Sequence, residues 1–203
     1  MKIDSVKVYD LEESIIASGL PMVACYDELV FESQTLGLTC DNDNVHFKRA
    51  CKLASNPAGS GHNNFLSGIL VSANVTATNV WWMQLERYHF VQIVSSQSKM
   101  HRLRQMMDWH DDTGARNCFH GKVFENGITL LKDLAADKSG IVDDADLAYN
   151  CPMGLELTAR ITTNYLQLKT IKNQRKNHKL AEWRQFCAWI DSLPYAKELI
   201  CNQ

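Results

Sequence analysis

The stretch FLSGILVSANVTATNVWWMQLERYH, residues 65–89, decides the fold class of this chain. Between Phe65 and Val75 apolar residues recur at even separations, which is the period of a β-strand, with Gly68 as an interruption. Thr78 is a common helix N-cap residue, and the apolar residues after it return at helical spacing. A strand that leads directly into a helix predicts a mixed α/β protein.

Elements of both kinds extend from this stretch in each direction. Residues 5–9 alternate polar and apolar side chains as a first strand does, and residues 29–31 give a weaker strand signal. The C-terminal part carries two apolar helical stripes, one beginning at Ile161 and one at Leu180. Further helices are predicted over residues 11–17, after Asn44, after Ser98 and around Ile128, and a polar loop over residues 108–121.

Length and composition favour one folded domain over residues 1–203. Apolar residues make up 45% of the 203 residues and charged residues 22%, which is the balance of a globular protein. The formal net charge of -2 argues against a protein that coats nucleic acid, because such a protein needs a large positive excess.

The sequence predicts a cytoplasmic protein with no membrane partner. No run approaches the ~20 apolar residues of a membrane helix, and residues 1–5 lack the basic-then-apolar pattern of a secretory signal. The seven cysteines are odd in number and include no Cys-x-x-Cys pair, so reduced structural thiols are expected.

Two polar segments in the first half of the chain carry residue types that binding chemistry needs. Residues 60–65 form a glycine-containing turn that delivers His62 to the start of a strand, and a capped turn with a surface histidine is the other interpretation. The stretch from Trp81 to Arg102 combines cations, hydroxyls and an amide near a helix start. That composition suits a phosphate ligand, although a solvated helix face has the same composition.

A third segment is a stripe of cations in the C-terminal helices. Lysine and arginine recur every three or four residues from Lys169 to Lys179, which favours a solvated helix face, with nucleic-acid binding as the alternative. A metal site is not expected, because the spacing of the candidate ligands matches no compact pattern. Those candidates are His101, His110, Asp111, Asp112 and His120.

Taken in order, the three segments resemble the signature elements of the flavin-dependent thymidylate synthases. That family has His-x-x-Phe, then Gln-Leu-x-Arg-His-Arg, then a serine-containing loop, and near its C-terminus an Asn, an Arg eleven residues on and Ala-Gln-Trp. The resemblance covers roughly Lys52 to Arg102 and Leu157 to Leu193. The matching residues are His62 to Phe65, Gln84 to His89, Gln97 to Arg102, Asn164 with Arg175, and Ala181 to Trp183.

The resemblance implies an α/β (α+β) fold with a central, mostly antiparallel sheet, packed helices and a helical C-terminal part. It also implies a homotetramer whose active sites are shared between subunits, so the site residues need not converge within one chain. The residues implied for the flavin site are His62, Arg87, Tyr88, His89 and Asn164. Those implied for the nucleotide are Ser96, Gln97, Ser98, Lys99 and Arg175, with Arg160 as a further phosphate contact.

The activity implied by the resemblance is reductive methylation of dUMP. FAD is the cofactor, methylenetetrahydrofolate the one-carbon donor, and NADPH the reductant that refills the flavin. Arg175 is the implied catalytic residue, because a fixed cation beside the pyrimidine favours the electron-rich ring by preorganised electrostatics. The expected partners are a pyrimidine deoxynucleotide monophosphate and further copies of the chain, with no nucleic acid.

Departures from the family pattern leave other functions open. Tyr88 stands where the family has His, and His89 stands where it has Arg, which exchanges a permanent charge for a side chain of the type that titrates near neutrality. In the third element the family's Arg is either replaced by Lys99 or displaced to Arg102, and Lys99 would offer a single charge in place of a bidentate guanidinium. A pyrimidine nucleotide hydroxymethylase and a non-catalytic nucleotide-binding module are therefore the alternatives.

Overall fold

A four-stranded antiparallel sheet of order β1–β2–β4–β3 is the central element of the fold. The computed structural model describes residues 1–28, 44–57, 59–108 and 112–201. The strands are β1 Lys2–Tyr9, β2 Leu70–Thr78, β3 Gln92–Ser96 and β4 Glu156–Asn164.

Polar side chains show the register between β2 and β4. Thr76 Oγ1 lies 2.7 Å from Thr158 Oγ1, and Arg160 Nη1 donates to Asn74 Oδ1 at 3.2 Å. Numbers rise along one strand as they fall along the other, so the pair is antiparallel. Because side chains alternate between faces, the intervening positions form an apolar, buried face. These are Val71, Ala73, Val75, Ala77, Leu157, Ala159 and Ile161.

Helices occupy most of the remaining described chain, and side-chain oxygens mark where several of them begin. Asn44, Thr78 and Ser98 each accept a hydrogen bond from a backbone N–H in the first turn that follows, as an N-cap does. The helices are α1 Leu11–Ala17, α2 Val45–Ala54, α3 Asn79–Leu85, α4 Lys99–Met107, α5 Asp112–Asn117, α6 Glu125–Ala136, α7 Asp144–Asn150, α8 Tyr165–Arg175, α9 Ala181–Asp191 and α10 Ala196–Leu199.

The chain divides into two compact units. The first unit comprises Met1–Asp4, Asn74–His89 and Ile93–Ile161, and the second comprises Ser5–Ala73, Phe90–Gln92 and Thr162–Gln203. None of the helices in the described ranges is both long and apolar enough to cross a membrane.

The first unit is built around an apolar cluster beneath α4. Leu103 and Met107 from α4 pack with Leu131 of α6 and Leu147 of α7. Arg104, on the same helix, donates to the Ala135, Asp137 and Val142 carbonyls and pairs with Asp144. The guanidinium thereby ties the end of α6 to the start of α7 and supports α4 from below.

The second unit packs α8 against α9 through large buried side chains. Trp183, Phe186 and Tyr165 are fully buried, and Tyr165 Oη donates to Pro194 O at 2.7 Å. Burial raises the pKa of the Tyr165 phenol well above its usual range. The start of α8 is therefore anchored by packing and by a hydrogen bond to Pro194, in the segment between α9 and α10.

The expected fold class is confirmed, including the strand-to-helix stretch and the helices after Asn44 and Ser98. Three local expectations were wrong. Ile161 lies in β4 and not in a helix, α5 interrupts the predicted loop of residues 108–121, and the segment after His62 is a 3-10 turn, Asn64–Ser67, before the strand starts at Leu70. The strand signal at residues 29–31 lies outside the described residues. The single-domain organisation stays a prediction.

Candidate functional site

The junction between β3 and α4 holds the predicted nucleotide residues in place. Gln97 N donates to Thr158 O at 3.0 Å, and Gln97 Oε1 accepts from Thr158 N at 2.8 Å. Gln97 thus extends the pairing of β3 with β4 by one residue. Ser98 Oγ then accepts from His101 N at 3.4 Å and begins α4.

A cavity of about 890 Å³ runs along α4, from the residues before its N-terminus to Asp108 just past its end, and we call it the α4 cavity. Its polar walls include two cationic or ionisable side chains, Arg102 and His101, and the amide of Gln105. A helix N-terminus with hydroxyl and cationic side chains attracts anions, because unpaired backbone N–H groups and the helix dipole add to the side-chain charge. Ser96, Gln97 and Ser98 line its N-terminal end, and Met106 and the carboxylate of Asp108 line the other end.

A second cavity of about 280 Å³ shares Ser96 and Gln97 with the first, and we call it the Trp82 cavity. Trp82 Nε1 donates to Leu157 O at 3.0 Å, which fixes the indole ring. Lys99 lies in this cavity and not in the α4 cavity. Its other lining residues are Asn79, Met83, Glu86, Ile93, Leu157 and Ala159.

A third cavity, of about 320 Å³, lies in the second unit and includes Asn164, so we call it the Asn164 cavity. The N-cap oxygen of Asn164 accepts from Gln167 N at 2.8 Å, which leaves its Nδ2 group as a donor. Gln167 and Thr170 add polar atoms, and Phe90, 68% exposed, adds an aromatic face. The hydroxyls of Ser67 and Thr170 donate to Asn64 O and Leu166 O, so the amides are the donors left for a ligand. Amide donors beside an aromatic ring suit part of a flavin, although this volume is at the lower end of the ~300–1,000 Å³ of ligand pockets.

The structure brings together one group of the predicted nucleotide residues. Ser96, Gln97 and Ser98 line the α4 cavity, with Lys99 in the adjoining Trp82 cavity. Arg160 does not join them, because β4 places it on the face opposite the cavity-lining Leu157 and Ala159. There it donates to Asn74 on the polar face of the sheet.

The predicted flavin residues of the first unit lie in the turn after α3. Arg87 and His89 are exposed, whereas Tyr88 is buried with its ring 9% exposed. Tyr88 N donates to Leu85 O at 2.9 Å, which closes the turn. The alternation of exposed, buried and exposed positions leaves Arg87 and His89 accessible to a ligand and makes Tyr88 a packing residue in this chain.

Three predicted residues belong to the second unit. His62 is exposed in the turn before the 3-10 segment. Asn164 is the N-cap of α8 and Arg175 is its last residue, so about 16 Å of helix separates them at ~1.5 Å per residue. Arg175 lies with its guanidinium carbon 4.8 Å from the Trp183 ring centroid. Within a single chain, Asn164 and Arg175 therefore do not meet.

The cationic stripe predicted from Lys169 to Lys179 is not a uniform solvated face. Lys169 is fully buried, donates to Ala54 O and to Asn56 O, and burial lowers the pKa of its ammonium group. Lys172 forms an ion pair with Asp191. Tertiary contacts thus remove these cations from the surface that a nucleic acid would need.

The candidate metal ligands named from the sequence do not form a cluster among the described residues. The described residues contain no group of three or more His, Cys, Asp or Glu side chains that could hold a metal ion. His110 and Asp111 lie outside them.

Sequence reasoning missed Gln105 as a lining residue of the α4 cavity, and it named Arg102 only as the place to which a family arginine could be displaced. A signal was present, because residues three to four apart share a helix face. From Ser98, the N-cap, that face runs through His101, Arg102 and Gln105. Asn79 and Trp82 in the second cavity had no signal of this kind, since their role depends on the distant Leu157.

Comparison with known proteins places the fold. No family model and no curated protein matches the sequence. Among solved structures, thymidylate synthase ThyX from Helicobacter pylori with FAD and dUMP is 16% identical, with full coverage of both chains and a TM-score of 0.73. A second complex of that enzyme with FAD and dUMP gives 15% identity, 98% coverage of each chain and a TM-score of 0.65.

A third similar structure is the UMP/dUMP methylase PolB from Streptomyces cacaoi bound with 5-Br dUMP. It is 12% identical, covers 98% of this chain and 95% of its own, and has a TM-score of 0.63. The fold is therefore that of the flavin-dependent thymidylate synthases over the whole chain. This confirms the fold that the motif order predicted.

Proposed function

We propose that the chain is a flavin-dependent enzyme that transfers a one-carbon unit to a pyrimidine deoxynucleotide monophosphate, with dUMP as the substrate and dTMP as the product. The observation that carries this proposal is the α4 cavity, which gathers Ser96, Gln97 and Ser98 at a helix N-terminus. The solved structures of the same fold that contain FAD and dUMP support it.

The α4 cavity has the donors that a nucleoside monophosphate needs. Ser98 and the free N–H groups of the first turn of α4 would hold phosphate oxygens, and Arg102 would add a charged fork. The Gln97 oxygen is occupied by Thr158 N, so its amide nitrogen is the part left to donate to a ligand. These donors lie at the Ser98 end of the cavity, away from the Asp108 carboxylate, so this end suits the phosphate of a ligand.

Arg175 is the proposed catalytic residue. A cation held beside the uracil ring stabilises negative charge on the ring and makes C5 nucleophilic, without a covalent side-chain nucleophile. The stacking of Arg175 on Trp183 keeps the guanidinium in one place, which is what preorganised electrostatics requires.

Two sets of residues are proposed to contact the flavin, and in the proposed homotetramer different chains supply them: Asn164 with His62, and Arg87 with His89. Tyr88, which the resemblance also implied, is buried and holds the turn between Arg87 and His89. FAD would supply the hydride that completes the methyl group, with NADPH as its reductant and methylenetetrahydrofolate as the one-carbon donor. The protein's own part is to present the Asn164 amide and the exposed Arg87 and His89 to this cofactor.

We also propose a homotetramer acting as a single-domain cytoplasmic enzyme, with no nucleic-acid or membrane partner. The small Asn164 cavity favours a shared site, because about 320 Å³ would hold only part of a dinucleotide cofactor. Light scattering coupled to gel filtration measures the assembly directly, and a stable monomer would contradict this part of the proposal.

The experiment that tests the activity begins with the absorbance spectrum of the purified protein and thermal-shift titrations with FAD and dUMP. Product analysis by mass spectrometry then follows turnover with methylenetetrahydrofolate and NADPH. Arg175→Ala should abolish product, and Lys176→Ala, at the exposed next position, should not. The proposal would be refuted if the protein binds no flavin and dUMP does not raise its melting temperature.

The altered cation positions favour two alternative functions, an enzyme that makes a different product and a protein that binds the nucleotide without turnover. His89 and Lys99 replace arginines of the family pattern, and a hydroxymethylase or a non-catalytic nucleotide-binding module would each still bind the nucleotide. Hydroxymethyl-dUMP as product identifies the first, and tight dUMP binding without any product identifies the second. The double variant His89→Arg, Lys99→Arg restores the arginines of the family pattern. If those charges contact the ligands, it should bind the cofactor and the nucleotide more tightly.

A further inference from the structure

Lys169 is a buried cation that joins two helices of the second unit. It lies on α8, is fully buried, and donates to Ala54 O and, at 3.2 Å, to Asn56 O. A buried charge is costly unless it is hydrogen-bonded, and the last carbonyls of a helix lack intrahelical donors and attract a cation. The ammonium group therefore holds the end of α2 and the residues just after it against α8.

The segment from Asn56 to Ile69 is tied to α8 at both of its ends. At the first end Lys169 donates to Asn56 O, and the fully buried Asn63 folds back on the same carbonyl, with its Nδ2 3.1 Å from Asn56 O. At the other end Tyr165 N donates to Ile69 O at 3.1 Å. Tyr165 and Lys169 are four residues apart and so share one face of α8. Two donors of α8 thus set the position of the segment along this face.

This segment and α8 both line the Asn164 cavity. Two of the lining residues, Gly59 and Ser67, come from the segment, and most of the others come from α8 and its N-cap. Gly59 and Gly61 have φ values of 85° and 79°, a conformation that glycine adopts without strain, and His62 follows at once. Because glycine also has the most conformational freedom to lose on folding, this turn depends on contacts elsewhere to keep its place.

We propose that Lys169 is a positioning residue for the flavin: by holding Asn56 O, it keeps the Gly59–His62 turn where the Asn164 cavity can accept the part of the cofactor that it holds. Lys169 is fully buried and does not line the cavity, so it acts through the turn and touches no ligand. This inference rests on the proposed function, which places Asn164 and His62 at the flavin. A turn that leaves its binding position lowers the observed affinity in proportion to the fraction still in place.

Lys169→Met tests this role, because methionine is a flexible side chain that can fill the site but donates no hydrogen bond. We expect the affinity for FAD, measured by quenching of flavin fluorescence, to fall about tenfold, the scale of one lost hydrogen bond. The affinity for dUMP, measured by calorimetry, should stay the same. Arg175 ends the same helix, so a general loosening of α8 would weaken dUMP and FAD binding together. Lys176→Met, at the exposed C-cap of α8, is the control and should change neither affinity.

Hydrogen exchange and a second variant test the same role by other routes. In the protein without ligands, the amides of residues 59–69 should exchange faster in Lys169→Met than in the unmodified protein. Asn63→Ala removes the other donor to Asn56 O and leaves α8 unchanged, so it should also weaken FAD binding and spare dUMP binding. All affinities are compared at a temperature at which every variant is folded.

Three results would overturn the inference: equal affinity of Lys169→Met and the unmodified protein for FAD, a joint fall of the FAD and dUMP affinities in the folded variants, or unchanged exchange of residues 59–69. An unmodified protein that binds no FAD overturns the proposed flavin site and this inference with it. An unmodified protein that binds FAD, with a Lys169→Met variant that binds it equally well, overturns this inference alone. The two failures are therefore distinguishable.

Discussion

The guanidinium of Arg175 lies over the buried ring of Trp183, with its central carbon 4.8 Å from the ring centroid. A cation–π contact of this kind contributes about 0.5–2 kcal/mol, depending on desolvation. Arg175 stands at the end of α8 and Trp183 lies in α9, so the contact joins two helices. It also orients the proposed catalytic cation.

Changing Trp183 should therefore reduce turnover through Arg175. Trp183→Phe keeps an aromatic face and should retain more activity than Trp183→Leu, although both substitutions leave a cavity and lower stability by about 1–4 kcal/mol. The measurement is kcat with dUMP at a temperature where both variants remain folded. Equal kcat values for the two variants would show that the stacking does not position Arg175.

Lys169→Met should destabilise the second unit. The buried ammonium donates to Ala54 O and Asn56 O, at the end of α2, and its removal leaves two carbonyls without this donor. The expected loss is about 1–3 kcal/mol in the free energy of unfolding, measured by urea denaturation. Lys176→Met, at an exposed position on the same cationic stripe, should stay within about 0.5 kcal/mol. A loss of the same size in both variants would contradict this assignment.

The stability of the fold should fall as the pH drops below about 6.5. Burial lowers the pKa of His178, and the charges of Arg175 and Arg184 lower it further, while His178 Nδ1 accepts from Leu180 N at 3.1 Å. The unfolded chain then takes up a proton at a higher pH than the folded chain, so stability is lost as pH falls from the ordinary histidine pKa to the lowered one.

Urea denaturation between pH 5 and 8 measures this effect (both limits are about one and a half units from the ordinary histidine value). His178→Gln should flatten the dependence, because the amide does not titrate. Lys179→Gln, an exposed neighbour, should leave the slope as it is. An unchanged slope in His178→Gln would assign the dependence to other groups.

Arg104→Lys should loosen the helices beneath the α4 cavity. The lysine could replace one of the hydrogen bonds to Ala135, Asp137 and Val142, but not the full fork. We expect a loss of about 1–3 kcal/mol in stability, with Arg102→Lys as the control, since its guanidinium contacts only Gln105 among the pairs described on the exposed side of α4. Hydrogen exchange of α6 and α7 would show whether the loss is local, and unchanged exchange there would contradict the assignment.

Local signals predicted the elements whose formation depends on their own sequence. The caps Thr78 and Ser98 and the helix over Leu11–Ala17 appear where the sequence indicated them. The strand β4 was taken for the start of a helix, because Ile161 also fits the helical stripe that continues through Leu168. Pairing with β2 decides this segment, and pairing is not visible in a single stretch of sequence.

The candidate site also contains residues that the sequence indicated and residues that only the structure revealed. The run Ser96 to Lys99 could be found from residue types near a helix start, whereas the neighbours Asn79 and Trp82 became visible only with the cavity that they line. Lys169 shows the opposite error. Its spacing indicated a solvated stripe, but packing of α8 against the segment after α2 buries it.

The amino-acid order by itself determined the mixed fold, the helix starts and the family resemblance, since periodicity, capping and motif order are local properties of the chain. Only the tertiary structure decided which cations remain exposed, which strand pairs with which and which distant residues line the same cavity. Those features depend on contacts between residues far apart in sequence, whose desolvation and hydrogen bonding no local pattern records.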